Sequence, residues 1–133
     1  MMKLMFDTNV VADVLLRREP YYADSYLSIL NCLENGDWCS FPVSATADIF
    51  YLLRKTDNPK ENMKYLYNLF DRISDVLEED FIAALDSRMK DFEDALIAMV
   101  AKRNHVDYII TRNVADFANS PVLAITPEEF NKI

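Results

Sequence analysis

The chain has 133 residues, 51% hydrophobic and 27% charged, enough to bury a core within one domain spanning residues 1–133 and too apolar for wholesale disorder. One Gly and five Pro exclude linker-rich and collagen-like chains, while two Cys and a single His, with no CxxC spacing, exclude a disulfide scaffold and the usual zinc sites. With 14 Lys and Arg against 22 Asp and Glu, the net charge is −8, so bulk charge does not hold a nucleic acid and any chemistry is built mostly from carboxylates.

Lys3–Phe6 is a short apolar run that stops at Asp7 and reads as a buried strand. Val10, Val11, Val14 and Leu15 then recur at helical spacing. Pro20 opens a second helix with Tyr22, Tyr26, Ile29, Leu30 and Leu33 on one side, and Gly36 falls where a left-handed residue ends a helix. Trp38–Phe41 predicts a second strand closed by Pro42, after which Ser44 is placed to cap a helix carrying Ile49, Leu52 and Leu53. Asn58-Pro59 with Glu61 opens another helix, whose buried stripe is Tyr65, Leu66, Leu69 and Phe70. Ser74–Leu77 is a third strand candidate, and Asp80–Arg88 and Phe92–Asn104 read as helices. Tyr108–Thr111 is the clearest strand and Val122–Ile125 the last, before a capping box, Thr126-Pro127-Glu128-Glu129, opens a short terminal helix. No apolar run approaches membrane-spanning length, and Asp7 makes the first segment a poor signal peptide, so a soluble, cytoplasmic protein is expected. Strands alternating with helices predict an α/β fold: a single three-layer domain with a mostly parallel central sheet flanked by helices.

In open parallel sheets ligands gather at the carboxyl ends of the strands. Asp7 ends the first strand, Asp48 lies one turn into the helix after the second, and Asp116 lies a few residues past Tyr108–Thr111. Asp91 and Asp94, three apart at the start of a helix, share one face. Each acid alone has a plain structural explanation: Asp7 and Asp91 as helix caps, Asp116 as a loop cap, Asp48 on a solvated face. Together they are costly. Two carboxylates about 4 Å apart repel by about 4 kcal/mol at an effective dielectric near 20. Gathering several therefore requires shared protons or bound cations, and their repulsion is expected to raise at least one pKa. An all-oxygen cluster selects hard ions such as Mg²⁺ or Mn²⁺, which activate water for attack on a phosphodiester.

These residues resemble the PIN-domain family, the VapC-like metal-dependent ribonucleases, over nearly the whole chain. Met5-Phe6-Asp7-Thr8-Asn9-Val10 is similar to the family's opening strand and D-T-N motif. Ser44 through Lys55 resembles the segment with the second acid, Asp91 through Ala98 the third, and Thr111-Arg112-Asn113 through Asp116-Phe117 the fourth. The resemblance implies a Mg²⁺- or Mn²⁺-dependent endoribonuclease with Asp7, Asp48, Asp94 and Asp116 as catalytic acids. Asp7, Asp94 and Asp116 would hold the metal with Asp91 as accessory, and Asn9, Thr111 and Asn113 would orient carboxylates or waters. It also implies RNA as substrate and, for the many members that are toxins, a small antitoxin as partner. Asp48 departs from the pattern, since many members carry Glu there.

A polyanion also needs cations at the cleft. Arg112, Arg54 and Lys55 are the expected RNA contacts, whereas Lys60, Lys64 and Lys102 read as solvated surface. The tyrosines at 21, 22, 26, 65 and 67 exceed what a small core needs, and a homodimer is expected on that ground. His105 falls at a helix end, and Cys32 and Cys39 read as core residues. A receiver domain fits poorly, because Thr8 stands where a second acid is wanted and no Lys follows the late strands. The alternative reading is a catalytically silent PIN-like module that binds RNA or a protein partner.

Overall fold

A computed structural model describes residues 1–133. The strands are β1 (Lys3–Phe6), β2 (Trp38–Pro42), β3 (Arg72–Ser74), β4 (Tyr108–Ile110) and β5 (Ala124–Ile125). Between and after them run α1 (Thr8–Leu15), α2 (Tyr22–Glu34), α3 (Thr46–Leu53), α4 (Pro59–Leu69), α5 (Glu78–Asp86), α6 (Phe92–Arg103) and α7 (Pro127–Asn131). The five strands form one sheet in the order β3-β2-β1-β4-β5, with every pairing parallel. Met5 of the central strand lies opposite Ser40 on one side and Ile109 on the other.

Alternation along β1 divides the interior in two. Leu4 and Phe6 enter a core shared with Val10, Ile29, Ile49, Leu66 and Phe130, beneath α1–α4 and α7. The ring of Phe70 meets Phe6 and Phe41 edge-on there, at 5.6 and 4.9 Å. Met5 points the opposite way, into a second core with Ala98, Val100, Ile109 and Phe117 beneath α5 and α6. Helices on both faces of a parallel sheet make the three-layer α/β fold that the pattern of elements predicts. No helix is long and apolar enough to cross a membrane.

Three helices stop by the same device. After α1, α2 and α6 the chain places Arg17, Gly36 and His105 in the left-handed region, at φ 51°, 72° and 58°. The next amide then reaches back to the helix, from Arg18 to Asp13, from Asp37 to Cys32, and from Val106 to Ala101. His105 is thus a helix-stop residue with an exposed side chain, and Gly36 serves as expected.

Several boundaries differ from the sequence pattern. The third strand is Arg72–Ser74, not Ser74–Leu77, because Asp71 accepts the Cys39 amide at 2.8 Å and starts the pairing earlier. Asp75 to Leu77 instead turn towards α5, where the Leu77 amide donates to Asp80 at 2.9 Å. Ser44 caps nothing; Val43–Ala45 form a 3₁₀ turn and Thr46 bonds back to the Val43 carbonyl at 2.6 Å. Asn58 likewise makes no side-chain cap, although Pro59 does open α4. Tyr65 is exposed while Leu66 and Phe70 are buried, and β5 covers only Ala124–Ile125. The capping box at α7 forms as predicted, with Thr126 and Glu129 bonded reciprocally at 3.0 and 3.2 Å. Cys32 and Cys39 are both free and buried.

Candidate functional site: a carboxylate cleft

Strand order reverses at β1, which has β2 on one side and β4 on the other, and this leaves a crevice outside the carboxyl ends of the strands. Asp7 stands at its floor. Its amide donates to the Ile110 carbonyl at 2.9 Å, fixing the residue to the sheet edge, and its side chain is only 4% exposed. One carboxylate oxygen accepts the Thr8 amide at 2.8 Å, and the other accepts the Thr111 hydroxyl, also at 2.8 Å. Asp91 caps α6 by accepting the amide of Asp94 at 3.0 Å. That first turn carries Glu93 and Asp94, and Asp116 sits in the 3₁₀ turn Val114–Phe117, where its backbone amide donates a hydrogen bond to the Asn113 carbonyl.

The crevice has a volume of about 410 Å³ and is lined by Asp7, Asp48, Asp91, Glu93, Asp94 and Asp116, with Asn9, Asn113 and Tyr51 among the remaining walls. All the sequence-predicted acids therefore meet in one place. The capping roles of Asp7 and Asp91 are real as well, so these two residues serve the helices and face the cleft at once.

Electrostatics distinguish the acids. None of the cleft acids takes part in an ion pair. Burial raises the pKa of Asp7 despite its bonds from Thr111 and Thr8 and the nearby positive charge of Arg112, and Asp116 adds to the rise. Asp94 is pushed up to about 7, first by burial and then by repulsion from Asp7, Asp91, Asp116 and Glu93. Glu93 is raised too, by burial, by the charge of Asp48 and by a hydrogen bond shared with it. A cluster of this kind lacks only positive charge.

The basic residues are arranged less simply. Arg112 does not reach freely into solvent. It donates Nε and Nη2 to Asp13 at 2.7 and 3.2 Å and lies 3.8 Å over the ring of Tyr21. Arg54 stacks 3.7 Å over Tyr51 and donates to that residue's carbonyl at 2.7 Å, at the rim of the cleft, while Lys55 is exposed. Thr111 is wholly buried and bonds both Asp7 and the Asn113 amide.

Three residues escape a reading of the sequence alone. Glu93 lies between the two acids that helical spacing singles out, and only its neighbour Asp48, brought in by α3, reveals it. Asp13 looks like one more acid on α1, yet it is fully buried between two guanidinium groups. Tyr51 lines the cleft from α3, three residues on from Asp48, a spacing that puts the two on one helical face.

The carboxylates and side-chain amide oxygens of the cleft are hard ligands, and none of the acids is held in an ion pair, so the residues fit a hard divalent ion. In the conformations seen, no three of them converge closely enough to ligate one ion. Holding an ion would require side-chain rotation, which the exposed or half-exposed Asp48, Asp94 and Asp116 are free to make.

The sequence profile of the PIN domain family matches residues 3–115. No curated protein gives a significant match. Among solved structures, a toxin-antitoxin complex from Klebsiella pneumoniae superposes with a TM-score of 0.72 at 20% identity, covering 93% of this chain and 97% of that one. FitAcB from Neisseria gonorrhoeae gives a TM-score of 0.68 at 17% identity, with 94% and 98% covered. VapBC2 from Rickettsia felis, bound to a DNA fragment from its promoter, gives 0.65 at 18% identity, with 94% and 98% covered.

Proposed function

The chain belongs to the PIN-domain family, whose members are generally nucleases, and from that premise we propose that it is a Mg²⁺- or Mn²⁺-dependent endoribonuclease, the toxin half of a toxin–antitoxin pair. The observation that carries the reading is the cleft itself: Asp7, Asp48, Asp91, Glu93, Asp94 and Asp116 face one another without a cationic partner. The cleft contains no His, Cys or Ser, and its only hydroxyl side chains are those of Thr8 and Tyr51.

In this reading Asp7, Asp94 and Asp116 hold the ion, Asp91 supports them, and Asp48 acts from α3 together with Glu93, its neighbour on α6. A divalent ion held by these acids would lower the pKa of water and supply positive charge for the phosphodiester transition state. The chain's own residues do the rest. Thr111 and the Thr8 amide keep the Asp7 carboxylate in one orientation. Asn9 and Asn113 flank the acids with amide donors and acceptors suited to ordering water. Arg112, Arg54 and Lys55 provide positive charge where the RNA backbone approaches.

An antitoxin fits as partner because solved neighbours are toxin–antitoxin complexes. A homodimer also belongs to the proposal, since Tyr26, Leu27, Tyr65 and Tyr67 are exposed. Light scattering at micromolar concentration tests it, a dimer mass being expected.

Cleavage of a mixed single-stranded and structured RNA pool tests the activity. Wild type with Mn²⁺ is expected to cut, while Asp94→Asn and EDTA-treated protein are expected not to. Equal cutting by all three means contamination. Absence of cutting by folded, inhibitor-free protein favours the silent binding module, a second reading supported by the lack of three convergent ligands.

A further inference from the structure

Asp13 is the most deeply buried acid in the molecule, with a relative exposure of 0%. It lies outside the carboxylate cleft, one and a half turns along α1 from Asp7. Four donors satisfy it. Arg18 Nε and Arg112 Nη2 reach one oxygen at 2.9 and 3.2 Å, and Arg112 Nε and Ser25 Oγ reach the other at 2.7 and 3.3 Å. One carboxylate thus stands between two guanidinium groups, and the trio keeps a net positive charge in a chain whose overall charge is −8.

The consequence falls on Arg112. Asp13 occupies its Nε–Nη2 edge, and Tyr21 covers one face at 3.8 Å. No protein acceptor takes Nη1, and the side chain remains 22% exposed. Arg112 directly follows Thr111, which bonds Asp7, and its charge is felt at Asp7. A guanidinium fixed on two sides, with its free edge in a hollow it shares with Ser25 and Thr126 and its charge felt at Asp7, is pre-organised to receive a phosphate oxygen.

We propose that Asp13 is a positioning residue, holding Arg112 with its free edge outward as the phosphate-binding group for an RNA strand crossing the cleft. The inference rests on the ribonuclease reading. It assigns Asp13 no contact with RNA or with the reacting atoms, so its effect passes entirely through Arg112.

The test uses a fluorescent mixed-sequence single-stranded RNA 20-mer, with Kd measured in an Asp94→Asn background and KM and kcat in the otherwise wild-type chain. Arg112→Ala and Asp13→Asn are each expected to raise Kd and KM about tenfold, as for a lost charge-assisted hydrogen bond, and to leave kcat within about threefold. The double variant is expected to bind no more weakly than Arg112→Ala alone. Arg18→Ala, which removes the other guanidinium from Asp13, is expected to lower Tm without changing Kd. If Asp13→Asn does not fold, Tyr21→Ala replaces it: Kd is expected to rise severalfold, with Tyr21→Phe restoring it.

Additive losses in the double variant, or a Kd in Arg18→Ala raised as much as in Asp13→Asn, overturn the proposal by showing a general structural role. RNA cut and bound normally by Asp13→Asn overturns this inference and leaves the nuclease reading standing. If the wild-type chain neither binds nor cuts RNA, both fall together.

Discussion

The hydroxyl of Thr111 donates to the buried carboxylate of Asp7 at 2.8 Å, joining residues 104 positions apart across the seam between β4 and β1. The bond restrains Asp7 and opposes the rise in its pKa that burial causes. Thr111→Val keeps the shape and removes the donor. Asp7 then becomes harder to ionise, and the acid limb of the cleavage profile is expected to move to higher pH. A hydrogen bond to a charged group contributes about 1.5–3 kcal/mol, so kcat/KM is expected to fall about tenfold or more, with Thr111→Ser retaining most of it. Rate profiles of the three proteins between pH 5 and 9 check the expectation.

Asp94 gives the cleft a pH-dependent stability. Its pKa is about 7 when folded against 3.8 as the ordinary value, so between those limits the folded chain holds a proton that the unfolded chain has released. Without metal, stability is therefore highest at the acid end of this window and declines as pH rises towards 7. Asp94→Asn is expected to flatten that decline, raising Tm at pH 8 in EDTA. Mn²⁺ is expected to displace the proton, so its affinity weakens as pH falls below 7 and its binding releases protons. Calorimetry in buffers of different ionisation enthalpy measures the release directly; no proton release at pH 6 contradicts the prediction.

Glu93 and Asp48 act on each other across the cleft. Replacing either by its amide removes one negative charge from the cleft and relieves the repulsion on the other. Glu93→Gln and Asp48→Asn are each expected to reduce cleavage, and the double variant to lose less than the two single losses combined. Strict additivity in a double-mutant cycle of kcat/KM is the result that denies their coupling.

Arg103 makes a different kind of prediction, concerning stability alone. Its Nε donates to both oxygens of Asp80 at 3.0 and 3.1 Å, and its Nη2 donates to the Asp75 carbonyl at 2.6 Å. Asp80 is 3% exposed, so Arg103→Ala leaves a buried carboxylate unpaired. Urea unfolding is expected to show a loss of about 3 kcal/mol, with Mn²⁺ affinity of the remaining folded protein unchanged.

The legible parts of the chain are those in which local chemistry and tertiary placement agree. β1 shows in Lys3–Phe6 because a central strand is apolar on both faces, and the α7 capping box shows because its partners are three residues apart. The acids could be placed at one end of the sheet because each follows a strand or opens a helix. β3 was misplaced since its start depends on Asp71 meeting the Cys39 amide, a contact 32 residues distant. Asp13 and Glu93 were hidden for the same reason: the groups that define them, Arg112 and Asp48, arrive from other elements. The sequence neighbours of Arg112 likewise do not show that its Nε–Nη2 edge turns onto Asp13.

The distance along the chain between Asp7 and its partner has a bearing on synthesis. β1 is made about a hundred residues before β4, which supplies the adjoining edge through Ile110 and Thr111. A growing polypeptide therefore carries Asp7 for most of its translation without Thr111, Arg112 or Asp116. The carboxylate cleft is absent from every such intermediate, and it closes only once β4 has left the ribosome and paired with β1. Whatever the cleft does waits on that pairing, because Asp7 alone supplies one acid of the six that line it.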